Sequence, residues 1–224
     1  MTTKLAENAH AIASGVARTR HAELIRACDV VLAGAGLIVI SPLFLLLLVV
    51  GWVQYGSPLF VQTRIGKDRR PFKLVKFRTM LHSTPSVASH EVPQGSITSY
   101  GRWLRRAKCD ELPQLWNVLR GDMSLVGPRP CLPTQHDVIA ARLARNCFRS
   151  LPGITGAAQI EKIDMSEPER LAAADAAMVE AMCLQKYGYY VWRTACGAGA
   201  GDAAERYSNA GRYRRRQTAR WLSR

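Results

Sequence analysis

The chain has 224 residues, which is enough for one compact hydrophobic core with a membrane element added to it. Lysine and arginine number 31 against 17 acidic residues, and the resulting net charge of +14 calls for an anionic partner: nucleic acid, phospholipid headgroups or a phosphorylated substrate. The 6 cysteines contain no Cys-x-x-Cys pair and no metal-ligand spacing, which indicates reduced thiols on the cytoplasmic side rather than a disulfide framework or a thiolate metal site.

After a lead-in of residues 1–21, the chain enters an apolar run without a charge at residues 30–53. A run of this length is typical of a membrane-spanning helix. It is too long for a secretory signal, and a chain of this size has no room to surround it as a core helix. The sequence therefore predicts a membrane segment over residues 22–56.

Two features of this run favour a re-entrant helical hairpin over the alternative, a kinked spanning helix. Basic residues flank the run on both sides, whereas a spanning segment carries its positive excess on one side. Ser41 and Pro42 lie at its centre, where the proline removes a backbone donor and the serine hydroxyl can bind the freed carbonyl. We therefore expect a helix that is broken at Ser41-Pro42 and that enters and leaves the bilayer through the cytoplasmic leaflet.

A β-hairpin is predicted next, with strands at residues 58–65 and 71–77 and a loop at residues 66–70. Cations project from the second strand and its end at Lys73, Lys76 and Arg78. They are typical either of a basic edge strand that resists aggregation or of a clamp for phosphate or lipid headgroups.

Residues 105–130 contain the strongest candidates for catalytic residues, because Asp110 and Glu111 are adjacent there and lie among cations. The apolar residues that follow at helical spacing are Leu112, Leu115, Trp116 and Leu119. They predict a short helix that ends at Gly121, with Asp110 at or next to its N-cap, where free backbone N–H groups favour anions. The simpler interpretation is that the acids serve only this helix start. The surrounding cations favour chemistry on a phosphorylated substrate instead; they are Arg105, Arg106, Lys108 and Arg129.

The C-terminal part is predicted to contain helices over residues 134–150 and 166–193, with a rigid turn at residues 151–156. The tail at residues 201–224 interleaves arginine with tyrosine and tryptophan, which suits an anionic membrane surface or RNA. The apolar run makes lipid the better partner. The fold class is therefore mainly α with a short β-hairpin (α+β).

Several of these segments resemble the bacterial sugar transferase family, the short monotopic phosphoglycosyl transferases that start glycan assembly on polyprenyl phosphate. The resemblance spans residues 22–200, and long motifs carry it in the right order. They are Ser41-Pro42, PLFVQTRIG (58–66), PFKLVKFRTM (71–80), GRWLRR (101–106), DELPQLWNVLRGDMSLVGPRP (110–130) and PGITGAAQI (152–160).

The resemblance implies an enzyme that transfers a sugar 1-phosphate from a UDP-sugar to undecaprenyl phosphate and releases UMP. Asp110 would be the nucleophile that takes up the phospho-sugar covalently, Glu111 would orient the dyad, and both carboxylates would hold Mg²⁺. Three cations match the family's phosphate-binding residues and the basic strand adds a fourth candidate; they are Lys76, Arg105, Arg129 and Arg78.

The resemblance also implies a location. Residues 57–200 would form a catalytic domain on the cytoplasmic face of the bacterial inner membrane, with membrane lipids among its partners and no nucleic acid. A homodimer is left open.

Tyr187 departs from the family, which usually has an aspartate at this position. Either Asp175 or another group takes over its role, or the chain is a weakened family member that acts as an assembly partner. A further alternative is a non-catalytic, membrane-tethered basic module that binds anionic lipid or nucleic acid. That alternative explains the charge but not the central carboxylates.

Overall fold

The computed structural model describes the backbone of residues 2–81, 83–84 and 96–198, and the side chains of this part from residue 21 onward. The basic tail at residues 201–224 lies outside the described residues. The elements in chain order are α1 (Thr2–Tyr55), β1 (Leu59–Ile65), β2 (Pro71–Phe77), α2 (Ser99–Arg106), α3 (Gln114–Arg120), β3 (Ser124–Val126), α4 (His136–Ala144), β4 (Gly153–Thr155), α5 (Ala157–Ile160), α6 (Pro168–Glu180) and α7 (Leu184–Ala195). The prediction of a mainly helical fold with a short antiparallel hairpin is confirmed.

Helix α1 runs without interruption through Ser41 and Pro42, so the predicted break in the helix is wrong. Proline lacks the N–H that would bind the carbonyl four residues earlier, which is that of Ile38. The hydroxyl of Ser41 donates a hydrogen bond of 2.8 Å to this same carbonyl. The serine thereby satisfies the acceptor that the proline leaves free, and the helix continues past the proline.

One face of α1 packs on the rest of the protein and the opposite face is exposed and apolar. Asp29, Ala33 and Leu47 are buried on the inner face. On the outer face, Val39 is 78% and Val53 is 81% exposed. Within the segment His21–Tyr55, a window of 18 residues has a mean hydropathy of 2.6, and the length and composition of the segment would allow it to cross a membrane.

The antiparallel hairpin of β1 and β2 pairs Leu59 with Phe77 at one end and Ile65 with Pro71 at the other. The side-chain amide of Asn117 from α3 binds the free edge of β2. Its oxygen accepts from the Val75 N–H at 3.1 Å and its nitrogen donates to the Lys73 carbonyl at 2.8 Å. The amide thus replaces a short piece of a third strand and fixes α3 against the hairpin.

A second, parallel pair joins β3 to β4, where the sequence predicted only a turn. A β-carbon added at Gly153 would lie 2.0 Å from the backbone nitrogen of Gly127, so only glycine permits this approach. The Gly127 N–H donates to the Thr155 carbonyl at 2.8 Å. This contact anchors the turn that leads from β3 to Arg129.

The last predicted helix, residues 166–193, is divided into α6 and α7. Helix α6 packs on α4 across a buried ion pair in which two nitrogens of Arg142 donate to one carboxylate oxygen of Asp175, at 2.6 and 2.9 Å. Both side chains are almost fully buried, at 2% and 0% exposure. Asp175 is therefore occupied in the core rather than replacing the family's aspartate at position 187.

Candidate active site

Asp110 and Glu111 lie in a 3-10 turn, Cys109–Glu111, which precedes helix α3. The prediction that Asp110 lies at or next to a helix N-cap is therefore wrong. The reason is Pro113, which has no N–H for the Cys109 carbonyl, so the Leu112 N–H binds that carbonyl instead at 3.2 Å. The tighter turn carries the two carboxylates to a point ahead of the α-helix.

Helix α3 ends at Gly121 as predicted, since this residue is left-handed with a φ of 86°. Three of the four residues of the predicted apolar face, Leu112, Leu115 and Leu119, pack against the core. Gln114, Asn117 and Val118 are buried, while Trp116 is 54% exposed. The polar Asn117 is accommodated in the core because its amide binds β2, a contact that apolar periodicity does not reveal.

Glu111 is held by the arginine of the turn after β3. One guanidinium nitrogen of Arg129 donates to its carboxylate at 2.6 Å. The backbone carbonyl of Arg129 in turn accepts from the buried Arg142 at 2.7 Å. The core ion pair of Arg142 and Asp175 thus supports the backbone from which Arg129 reaches the dyad.

Asp110 is half-buried, and three cations from distant parts of the chain influence its charge. Burial and the neighbouring Glu111 raise its pKa, Lys76, Arg105 and Arg129 oppose this shift, and the resulting pKa is about 6. No hydrogen bond or ion pair to the Asp110 carboxylate is found among the described residues. This side chain is therefore an anion that faces cations without being bound to one of them.

Lys76 from β2 belongs to the same cluster. Burial, together with the nearby Arg64 and Arg105, lowers its pKa to about 8 against the attraction of Asp110. The structure thus brings Lys76, Arg105 and Arg129 together around Asp110. An arrangement of this kind can bind an anionic group next to a carboxylate that is able to react with it.

Comparison with known proteins identifies the family. A sequence profile described as "Bacterial sugar transferase" matches residues 20–198, which is most of the chain. The chain belongs to the bacterial sugar transferase family. The resemblance drawn from the motifs is thereby confirmed.

Curated relatives are similar over part of their length. The UDP-glucose:undecaprenyl-phosphate glucose-1-phosphate transferase of Caulobacter vibrioides is 44% identical over 140 residues, which are 60% of this chain and 52% of that protein. The UDP-N-acetylgalactosamine-undecaprenyl-phosphate N-acetylgalactosaminephosphotransferase of Aeromonas hydrophila is 35% identical over 145 residues, which are 62% of this chain and 34% of that protein. The exopolysaccharide production protein ExoY of Sinorhizobium fredii is 37% identical over 169 residues, which are 66% of this chain and 73% of that protein. The chain thus spans about half of the Caulobacter relative and about a third of the Aeromonas relative.

Arg64 is a residue of this site that the sequence analysis missed, although it lies in one of the family motifs. Its guanidinium donates to the Pro130 carbonyl at 3.1 Å and to the side chain of Gln62 at 2.7 Å, while its buried Nε has no partner. Burial and the nearby Arg129 lower its pKa to about 10. The pairing of the two strands could have revealed Arg64. Phe60 pairs with Lys76, and side chains alternate along a strand, so Arg64 lies on the same face of the hairpin as Phe60 and Lys76.

Arg78, the fourth candidate cation, is bound at the start of the hairpin. Its guanidinium donates to the Ser57 carbonyl and to the Ser57 hydroxyl, both at 3.0 Å. It also lies over the ring of Phe60 at 5.6 Å. A phosphate-binding role for Arg78 stays a prediction, and these contacts would have to rearrange or be shared for it.

Tyr187, the position at which this chain departs from the family, binds a carboxylate of α1. Tyr187 is 2% exposed, and its hydroxyl donates to a carboxylate oxygen of Asp29 from α1 at 2.9 Å. Burial raises the pKa of Tyr187, and the charge of Asp29 and this hydrogen bond raise it further, so the hydroxyl remains a donor at any working pH. Asp29 was not found from the sequence, since it lies just ahead of the charge-free run and marks no motif.

The dyad fits the Mg²⁺ that the family resemblance implies. Magnesium typically takes one or two carboxylates from the protein together with substrate phosphates and water. Glu111 is already oriented by Arg129, and the unbound carboxylate of Asp110 has an upward-shifted pKa that a cation would relieve. The described residues contain no cluster of three or more acidic, histidine or cysteine side chains, so the dyad would rely on substrate oxygens to complete the shell.

Proposed function

We propose that this protein transfers a sugar 1-phosphate from a UDP-sugar to undecaprenyl phosphate, releases UMP, and so initiates bacterial surface-glycan assembly. The observation that carries the proposal is the half-buried Asp110 carboxylate, which has no hydrogen-bond partner among the described residues and faces Lys76, Arg105 and Arg129. The printed names of the Caulobacter and Aeromonas relatives describe this class of reaction for those proteins.

The first step divides the donor between its two phosphates. An oxygen of Asp110 attacks the phosphorus that bears the sugar, and the bond from this phosphorus to the bridging oxygen breaks. The bridging oxygen leaves with UMP and takes the electron pair. Lys76, Arg105 and Arg129 offset the negative charge that collects on the leaving group.

The second step returns Asp110 to its starting state. A phosphate oxygen of undecaprenyl phosphate attacks the same phosphorus, and the bond to the carboxylate breaks. The product is a polyprenyl diphosphate-linked sugar. Mg²⁺ held by Asp110 and Glu111 would supply charge neutralisation and orientation for the phosphate groups.

The cation cluster supports a diphosphate donor on charge balance. Four cations surround the dyad, namely Arg64, Lys76, Arg105 and Arg129, and they face two carboxylates. A bound Mg²⁺ would increase this positive excess. A polyanionic group such as a nucleotide diphosphate balances it, whereas a neutral sugar does not.

The acceptor explains the apolar face of α1. We infer that this face lies in the cytoplasmic leaflet of the inner membrane, with the catalytic domain on the cytoplasmic side. Ala33, ahead of Pro42, packs with Leu74, and Leu47, after Pro42, packs with Phe77 of the same hairpin. A helix that crossed a hydrocarbon core about 30 Å thick would move away from this domain along one of its arms.

Release of UMP tests the reaction. Purified full-length protein in detergent would be given undecaprenyl phosphate, Mg²⁺ and a panel of UDP-sugars. We expect release with at least one donor, and a loss on the order of 10³-fold or more in Asp110→Asn. Asp137→Asn is the matched control, because Asp137 is an exposed aspartate of α4.

Isotope exchange tests the covalent step. If Asp110 takes up the phospho-sugar, labelled UMP will exchange into the UDP-sugar without any lipid acceptor. Transfer without such exchange would contradict the covalent intermediate but not the overall reaction. No UMP release with any donor, together with salt-sensitive binding to polyanions, would favour the non-catalytic alternative.

A further inference from the structure

A buried carboxylate midway along α1 organises the strand that leads to the active-site arginine. Asp29 is 1% exposed. One of its oxygens accepts three hydrogen bonds: from the Leu125 N–H at 2.8 Å, from the Ser124 hydroxyl at 3.0 Å and from the Tyr187 hydroxyl at 2.9 Å. Two of the three donors belong to β3, and the third belongs to α7.

The same turn of α1 also holds the end of α3. Arg26, three residues before Asp29, donates to the carbonyls of Val118 and Leu119 at 2.7 and 3.0 Å. These carbonyls belong to the last turn of α3, where backbone acceptors lack helical partners and favour a cation. Arg26 and Asp29 therefore bind α3 and β3, the elements on either side of the Gly121 turn.

These two elements carry the reacting groups at their other ends. The carboxylate dyad lies just ahead of α3, and Arg129 follows β3 by three residues. Arg129 reaches back to Glu111 at 2.6 Å. The position of β3 therefore sets the distance between the guanidinium and the dyad.

We propose that Asp29 is a positioning residue for the transfer reaction and acts through β3 on Arg129, so that the helix carrying the apolar surface also sets the geometry of the active site. The proposal rests on the proposed function. It concerns a residue that touches neither donor nor acceptor, and it gives Tyr187, where the family usually has an aspartate, the role of a donor that orients Asp29. A displacement of about 1 Å at a reacting centre can lower a rate by about 100-fold.

The experiment compares Asp29→Ala with the wild type in the UMP-release assay. We expect kcat to fall by about 10- to 100-fold, while the KM for the UDP-sugar changes by less than about threefold, since Lys76 and Arg64 remain in place. Asp137→Ala is the matched control on an exposed helix position. Unchanged kcat in Asp29→Ala would overturn the proposal.

A double-mutant comparison separates positioning from a general structural role. In an Arg129→Ala background, Asp29→Ala should lower kcat by less than about threefold, because the group that it positions is absent. In a Lys76→Ala background, the full loss should persist, because Lys76 lies on β2. Equal losses in both backgrounds would show that Asp29 acts on the whole fold and would overturn the proposal.

Two further measurements keep the test decisive. If Asp29→Ala does not fold, Tyr187→Phe can replace it, because this change removes one of the three hydrogen bonds and leaves the ring. We expect a smaller loss of kcat that again disappears in the Arg129→Ala background and persists in the Lys76→Ala background. Hydrogen exchange of residues 124–130 needs no activity and should be faster in Tyr187→Phe, with α6 unchanged. Unchanged hydrogen exchange at residues 124–130 would contradict the positioning role even if the transfer reaction itself is confirmed. Faster exchange without UMP release would contradict only the proposed function.

Discussion

Replacing Arg142 with methionine should destabilise the protein and slow the reaction through separate contacts. Arg142 and Asp175 are 2% and 0% exposed, and they share hydrogen bonds of 2.6 and 2.9 Å. Removing the cation leaves a buried carboxylate without its partner, which typically costs about 3–5 kcal/mol of the free energy of unfolding. For a protein of this size we expect the melting temperature to fall by about 6–20 °C.

The double variant Arg142→Met/Asp175→Leu should recover most of this stability, because buried ion pairs are often replaced by apolar residues at little net cost. It should not recover the activity. The Arg129 carbonyl, which accepts from Arg142 at 2.7 Å, stays without its donor, and the arginine turn beside Glu111 loses its support. The double variant should therefore regain stability without regaining the transfer rate.

The pH dependence of the single variant has a definite sign. Burial already raises the pKa of Asp175 and Arg142 opposes this shift, so removing Arg142 should raise the pKa further. A group with a raised folded-state pKa binds its proton more tightly in the folded protein, and the stability that it contributes is lost as the pH rises. The destabilisation in Arg142→Met should therefore be smaller at acidic pH than at pH 8.

The assay is thermal and denaturant unfolding of detergent-solubilised protein, followed by UMP release on the same samples. The reasoning is refuted if Arg142→Met costs less than about 1 kcal/mol, because exposed or dispensable pairs behave in this way. It is refuted equally if the double variant is as unstable as the single one, or if its transfer rate returns together with its stability.

Three further changes test the fold and the site. Gly153→Ala should prevent folding, since the new methyl would meet the Gly127 nitrogen at 2.0 Å. The control is Gly188→Ala, which has nothing within 4 Å in an exposed helix and should be neutral or stabilise the protein by about 0.5–1 kcal/mol. Equal melting temperatures for the two variants would contradict the close approach of Gly153 to Gly127. Asn117→Leu should cost about 1–3 kcal/mol by chemical denaturation, because two backbone groups of β2 lose their partner; a neutral result would mean that water replaces the amide. Donor binding in the wild type should weaken as the pH rises above about 8, where Lys76 loses its proton, by at most about tenfold per pH unit. Lys76→Arg should shift this weakening to higher pH in a titration of UDP-sugar binding, and an identical profile would exclude Lys76 as the titrating group.

The elements that the sequence predicted correctly are those whose signal lies within a few residues. Alternation and a turn gave the hairpin, the left-handed Gly121 gave the end of α3, and the charge-free run gave a long apolar helix. The break in that helix was predicted from Ser41-Pro42 and from the basic residues on both sides of the run. It failed because Ser41, the adjacent residue, binds the one carbonyl that the proline leaves free.

The candidate site divides in the same way. The motifs identified the dyad and three of its cations, since Arg105 and Arg129 lie with the dyad in the signature at residues 105–130 and Lys76 lies in the motif at residues 71–80. The N-cap geometry of Asp110 was wrong because Pro113 forces a 3-10 turn. The predicted apolar face of α3 was wrong only at the exposed Trp116, and the burial of Asn117 was missed because its amide binds a strand edge. Arg64 could have been placed only after the register of the hairpin was known.

What the sequence by itself determined is the set of local elements, the identity of the two carboxylates and the family. What only the tertiary structure decided is how these parts hold one another. Asp29 meets Tyr187 across 158 residues, and Arg142 meets Asp175 across 33. Local propensity depends on neighbouring residues along the chain, whereas these buried polar contacts exist because folding removes water from groups that must then find partners in whichever segment is packed against them.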